Sequence, residues 1–177
     1  MIPVHTTALV IIPPKHLWEP IQKIREEHDR NIRRWMPHIT LFYPFVPREH
    51  FQDTKKDLQN VCQNIKPFKI TLDAVGKFKQ RKGNFILWVG CEEQQEIQNL
   101  YSSLSSALQN TMEIKKRPFH PHLTIGRMRD AKVFDELKNN VQSTWQPVEW
   151  QVDNVSLIWR NNSPDDIFRI EHEIPLS

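Results

Sequence analysis

Apolar residues recur along this chain with two alternating periods. Val4 to Ile12 is dense in Val, Ile and Thr and stops at Pro13-Pro14, which predicts a strand. From Pro14 to about Arg30 the spacing becomes helical: Leu17, Ile21, Ile24 and His28 recur, with Trp18 beside them and Lys23, Glu26 and Glu27 between. Pro37 to Phe45 returns to a strand pattern closed by Pro44 and Pro47. A second amphipathic helix starts near Arg48, carries Phe51, Leu58, Val61, Cys62 and Ile65 on one stripe, and stops at Pro67. Phe68 to Lys79 reads as one long strand.

The second half repeats the order. Arg81-Lys82-Gly83-Asn84 is a turn, and Phe85 to Gly90 is a strand apolar enough to be buried on both faces. A helix over about Glu92 to Gln109 follows, with Ile97, Leu100, Tyr101, Leu104 and Leu108 as its core stripe. Phe119 to Gly126 is a strand, Val133, Phe134, Leu137 and Val141 mark a helix, and Val148 to Arg160 is another long strand. Residues 161–165 form a turn that folds 166–174 back as a hairpin strand. Residues 4–79 and 85–160 therefore each spell strand, helix, strand, helix, strand. Together they make a duplicated α+β architecture in a single domain, and such repeats usually pack about a pseudo-twofold axis.

Only one pair of words repeats in the letters themselves. Pro37-His38-Ile39-Thr40-Leu41 and Pro121-His122-Leu123-Thr124-Ile125 occupy equivalent strands of the two repeats. Side chains alternate along a strand, so His38 and Thr40 share one face and Ile39 and Leu41 the other. The same alternation sets His122 and Thr124 against Leu123 and Ile125. A pseudo-twofold axis would bring two imidazoles and two hydroxyls to one cleft. His5-Thr6-Thr7 is a third His-x-Thr match, but it lacks the proline, the apolar fillers and a partner, and reads as a structural strand residue.

Composition narrows what such a cleft could take. The 177 residues carry a net charge of +3, mildly basic and suited to an anionic substrate rather than to a dedicated nucleic-acid arm. Cys62 and Cys91 stand alone in apolar contexts, which points to a reducing compartment. No apolar run is long enough to span a bilayer, and the N-terminus has no signal-peptide pattern. The expectation is a cytoplasmic monomer, with a nuclear location also open, and no membrane partner. With four glycines and no phosphate-cradling loop, kinase and ATPase readings fail.

Histidine titrates near neutrality, so a pair can serve as base and acid on the two sides of a phosphodiester. Threonine hydroxyls can hold the non-bridging oxygens where negative charge builds. No metal and no cofactor is required. A zinc reading of the His120-Pro121-His122 pair would need a third ligand, which is not evident nearby, and would leave the threonines idle.

Pro37-His38-Ile39-Thr40-Leu41 and Phe119-His120-Pro121-His122-Leu123-Thr124-Ile125-Gly126-Arg127 resemble the two signature strands of the 2H phosphoesterase superfamily. That superfamily contains the 2′-5′ RNA ligase-like and 2′,3′-cyclic phosphodiesterase proteins, and the resemblance implies its bilobal, pseudo-twofold α+β fold, with antiparallel sheets and outer helices around a central His-lined groove. Arg34-Trp35-Met36-Pro37-His38 also resembles the eukaryotic branch found as the C-terminal domain of the leukocyte receptor cluster member protein. The resemblance implies His38 and His122 as catalytic histidines, with His122 as base and His38 as acid, and Thr40 and Thr124 as phosphate-binding hydroxyls. It implies metal-independent opening of 2′,3′-cyclic phosphates on RNA ends or small nucleotides, leaving a 2′-phosphate. Cleavage or ligation of 2′-5′ linkages, trimming of RNA 3′ ends, and a non-catalytic RNA- or nucleotide-binding module stay open beside it.

Arg127 is a further candidate, for phosphate or developing charge, against the alternative of a solvated strand-end charge. Tyr43, Trp35, Trp88, Phe119 and His120 are candidates to contact a base or sugar, each with lobe packing as the alternative. The basic clusters Lys77, Lys79, Arg81, Lys82 and Lys115, Lys116, Arg117 fit either an RNA backbone or an ordinary solvated surface.

Overall fold

A computed structural model describes residues 1–80, 83–114 and 118–177. Arg81, Lys82, Lys115, Lys116 and Arg117 lie outside the described residues. Strand β1 (Thr7–Ile11) leads into helix α1 (Trp18–His28) and strand β2 (Ile39–Phe42). Helix α2 (Phe51–Cys62) is followed by β3 (Phe68–Leu72) and β4 (Ala74–Lys79). The second repeat runs β5 (Phe85–Gly90), α3 (Gln95–Leu108), β6 (His122–Met128), α4 (Ala131–Thr144), β7 (Val148–Val152) and β8 (Asn154–Trp159). Strand β9 (Arg169–Pro175) ends the chain as the hairpin partner of β8. The fold is α+β, and all its strand pairs are antiparallel.

Each long strand expected at the end of a repeat is in fact two. The first breaks at Asp73 and the second at Asp153, and the two pieces enter different sheets. β3 and β7 pair with each other over Phe68–Leu72 and Val148–Val152 as a separate two-stranded sheet. β4 and β8 join a seven-stranded sheet of order β4-β5-β6-β2-β1-β8-β9. The Asp73 amide still bonds the Gly90 carbonyl at 2.9 Å, while its carboxylate takes the Glu92 amide at 2.8 Å. The aspartate thus holds the bend against the end of β5 through both its amide and its carboxylate.

The exchange has a consequence for the lobes. β4 comes from the first repeat but pairs with β5 of the second, and β8 comes from the second but pairs with β1 of the first. Each half of the large sheet is therefore built from both repeats, and not from 4–79 or 85–160 alone. Between the halves, β2 and β6 are neighbours at the centre, registered through Ile39 opposite Leu123. Ile39, Leu41, Leu123 and Ile125 are fully or almost fully buried in one core shared by both repeats. Among the described residues no helix is long and apolar enough to cross a membrane.

Close approach fixes two glycines. A Cβ at Gly76 would run into the indole of Trp88, which lies across it from the next strand. At Gly126 a Cβ would come within 3.3 Å of His28 Cβ, where the end of α1 crosses β6. Gly76→Ala should therefore destabilise the protein by about 1–3 kcal/mol, the usual cost of overpacking. In urea denaturation, Trp88→Leu in the same chain should recover part of that loss. Additive losses would show that the indole does not fill the space above Gly76.

Candidate active site

The central pairing decides which side chains meet. With Ile39 opposite Leu123 in antiparallel register, His38 falls opposite Thr124 and Thr40 opposite His122. The apolar residues of both pentads point to the core, so these four polar side chains share the other face. They line a groove of about 620 Å³ together with Arg25, Asp29, Asn31, Arg34, Trp35, Tyr43, Gln80, Ile86 and Arg127.

Each histidine is held in the same way. His38 Nδ1 lies 2.7 Å from the Met36 carbonyl, and His122 Nδ1 lies 2.7 Å from the His120 carbonyl. A carbonyl can only accept, so Nδ1 carries the proton in both rings and the neutral ring keeps its lone pair on Nε2. The intervening proline explains its place in both pentads. It has a fixed φ and no N–H, and it holds the residue before it extended, so the carbonyl two residues back stays beside the ring.

Burial sets the charge state. His38 stacks on Trp35 at 4.6 Å and 19°, and its pKa is pushed down to about 4. Burial is the largest cause, with Arg25 and His122 adding to it, while the Met36 carbonyl and Asp29 oppose it. His122 is lowered too, mainly by burial, then by the charges of His120 and Arg127 and against the His120 carbonyl. Phe78 stands edge-on to its ring at 4.9 Å.

Below the histidines is a buried ion pair. Arg25 and Asp29 are almost fully buried, with Nε and Oδ2 3.0 Å apart. Arg25 Nη2 donates to the Trp35 carbonyl at 3.0 Å, and so anchors the residue whose ring stacks on His38. Asp29 Oδ1 accepts the Asn31 amide at 3.0 Å and lies 3.6 Å from Arg127 Nε. That second distance is an ion pair without a hydrogen bond, and Arg127 Nε has no partner among the described residues. One aspartate thus faces two groove arginines, leaving a net positive floor.

A family model for the 2′-5′ RNA ligase superfamily matches residues 13–164, most of the chain. The chain belongs to the 2′-5′ RNA ligase superfamily. A Bacillus cereus relative, provisionally named a phosphoesterase, is 30% identical over 132 residues, covering 73% of this chain and 74% of its own. The RNA 2′,3′-cyclic phosphodiesterase of Methanocaldococcus jannaschii is 27% identical over 139 residues, covering 76% of this chain and 78% of its own. Escherichia coli LigT, in a crystal structure with 3′-AMP, superposes with a TM-score of 0.71 over 98% of both chains at 22% identity. That last likeness concerns the fold.

In this member of the superfamily the groove gathers His38, His122, Thr40, Thr124, Arg127, Tyr43 and Trp35. Tyr43 is exposed, and its hydroxyl donates to the His5 carbonyl at 3.2 Å. Three other residues expected beside the substrate, His120, Trp88 and Phe119, do not line the groove, although the first two stand next to the His122 ring. His120 was expected on the strand face of His122, but β6 begins only at His122, after Pro121. Its ring packs on Trp88 at 4.6 Å and on Phe78 at 5.3 Å and lies 6.2 Å from the His122 ring, so it backs that imidazole from outside the groove while its carbonyl holds Nδ1. Trp88 is paired with Thr124, yet its indole is turned over Gly76 and buried. Phe119 stacks on Tyr101 at 4.0 Å and 7°, on the side of α3.

Arg25 and Asp29 were not among the residues singled out from the sequence. The signal was there. Arg25 sits four residues after Ile21, on the apolar stripe of α1, where a charge must be paired to be buried. Asp29→Ala, by leaving Arg25 unpaired in the interior, should cost about 3–5 kcal/mol in chemical denaturation. A loss below about 1 kcal/mol would mean that the pair is solvated.

The lowered histidines also predict an acid-sensitive stability. Between pH 6.5 and about 4 the unfolded chain binds a proton at residue 38 that the folded chain refuses. The contribution is complete above about pH 6.5 and is lost as pH falls towards 4. Its size is about 2–3 kcal/mol. His38→Gln should flatten the stability curve in that window, and an unchanged slope would place the proton uptake elsewhere.

Proposed function

We propose that this protein is a metal-independent phosphodiesterase that opens 2′,3′-cyclic phosphates on RNA ends or nucleotides. The observation that carries the reading is the cross-strand quartet. Two histidines, each with Nδ1 held by a carbonyl at 2.7 Å, leave two Nε2 atoms for one groove, and two threonines stand opposite them. The curated relative named an RNA 2′,3′-cyclic phosphodiesterase supports the substrate class.

The chemistry then divides as follows. His122 Nε2 takes a proton from water, whose oxygen attacks phosphorus. The P–O3′ bond breaks, its electron pair stays on O3′, and that oxygen takes a proton from His38 Nε2. The product is a 2′-phosphomonoester with a free 3′-hydroxyl. Thr40, Thr124 and Arg127 hold the non-bridging oxygens as charge develops there. The choice of His122 as base follows the family resemblance of the second motif. His38 must be protonated to act, and the negative phosphate arriving beside it raises its pKa from about 4 towards the working range.

The protein incubated with 2′,3′-cyclic nucleotides in excess EDTA should release 2′-phosphomonoesters. His38→Ala and His122→Ala should each lose about 10²–10⁴-fold in kcat. Loss of turnover in EDTA, or full activity of either variant, would sink the proposal. Tight RNA binding without turnover, untouched by either substitution, would establish a binding module instead.

A further inference from the structure

We infer that the groove continues onto an arginine shelf that holds the backbone of an RNA strand on the 5′ side of its terminal cyclic phosphate. The substrate class is then an oligonucleotide end rather than a free mononucleotide. This rests on the cyclic-phosphodiesterase reading above, because a 2′,3′-cyclic phosphate needs a ribose and so marks the strand as RNA.

Asn31 and Arg34 line the catalytic groove and also a second depression of about 430 Å³. Arg30 and Arg33 line that depression as well, both exposed and, among the described residues, without a hydrogen-bond or ion-pair partner. Positive charge is continuous with the site, since Arg30 is near enough to Arg127 to help lower its pKa. Acidic groups are few on this side. Asp166 is paired with Arg169 and also accepts the Asn161 amide, which leaves Asp165 opposite three arginines.

A charged turn is ordinarily a solvated one, but this turn is held at many points. The Asp29 carboxylate and carbonyl take the Asn31 and Ile32 amides at 3.0 and 2.9 Å. Asn31 O takes the Trp35 amide at 3.1 Å, and Arg34 O takes the Phe168 amide at 2.9 Å. Arg34 Nη2 donates to the Pro164 carbonyl at 2.6 Å. The backbone under the arginines is thus already ordered, so a bound strand need not order it.

The direction of the strand follows from charge. A third depression also opens from the groove at Asp29 and Arg127, and it too reaches Arg30 and Arg33. Glu26 and Glu27 line it. There Glu26, Glu27 and Asp29 offset the arginines, whereas past Arg34 Asp166 is already held by Arg169, so the strand leaves past Arg34 towards Pro164.

The test compares kcat/KM for a 2′,3′-cyclic mononucleotide and for a short RNA ending in a 2′,3′-cyclic phosphate, over a series of salt concentrations. The wild type should prefer the oligonucleotide by about tenfold or more at low salt, with a steeper salt dependence. Arg30→Ala/Arg33→Ala should bring that ratio close to one and reduce the log–log salt slope by about 1.4, or about 0.7 per phosphate contact on a single strand. Glu26→Gln/Glu27→Gln should leave the ratio unchanged. A wild type without length preference, or a double arginine variant that keeps it, overturns the shelf while leaving the cyclic-phosphodiesterase reading intact. A ratio raised by the glutamate variant overturns the direction. Turnover of neither substrate overturns that reading, and the shelf with it.

Discussion

The antiparallel contact of β2 with β6 is the constraint from which the site follows. It is registered through Ile39 and Leu123 alone, at the middle of a sheet whose other neighbours pair over several residues. A brief pairing fixes register, because a slip of one residue would turn every imidazole into the core and every isoleucine out of it. It also leaves the two strands free to part on either side of the contact, where a longer ladder would close the space between them. Flat pairing would give a sheet face; this pairing gives a groove.

The exchange of terminal strands keeps that contact in place. β4 and β8 each leave their own repeat to flank the other, so the two repeats cannot separate without unpairing β4 from β5 and β8 from β1. The shared core adds to this, since apolar residues from β2 and β6 belong to the same buried cluster as those from α2, α3 and β8. The histidines are thus joined by a pairing between distant parts of the chain and secured by the core that both repeats share.

The pentads were legible in the sequence because strand alternation is local and period two is unambiguous: residues 38, 40, 122 and 124 had to share a face if their strands met. The exchange was not legible. Phe68 to Lys79 keeps an unbroken strand composition through Asp73, and nothing local says that its two ends join different sheets. His120 departs for a related reason: alternation carried back through Pro121 puts it on the face of His122, but the strand starts after Pro121, and there the side chains follow the turn. Trp88 was on the expected face, yet Gly76 offered it a space on the neighbouring strand. Arg25 and Asp29 show the opposite case: a charge on an apolar stripe is a strong sign, but it names a buried pair only when the partner is known.

The electrostatics tie these elements into one device. The free groove holds two histidines kept neutral by burial, over a floor where Arg25 and Arg127 share the single carboxylate of Asp29. A base can work from that state, but an acid cannot. On the proposed mechanism the missing proton is taken up when a phosphate brings its negative charge between the rings, so the group that must be charged becomes so only when there is something to act on. The excess of arginine over aspartate favours the arrival of that phosphate and, before it arrives, opposes protonation of His38. The same buried positive charge therefore disfavours the imidazolium in the empty groove and attracts the anion that restores it.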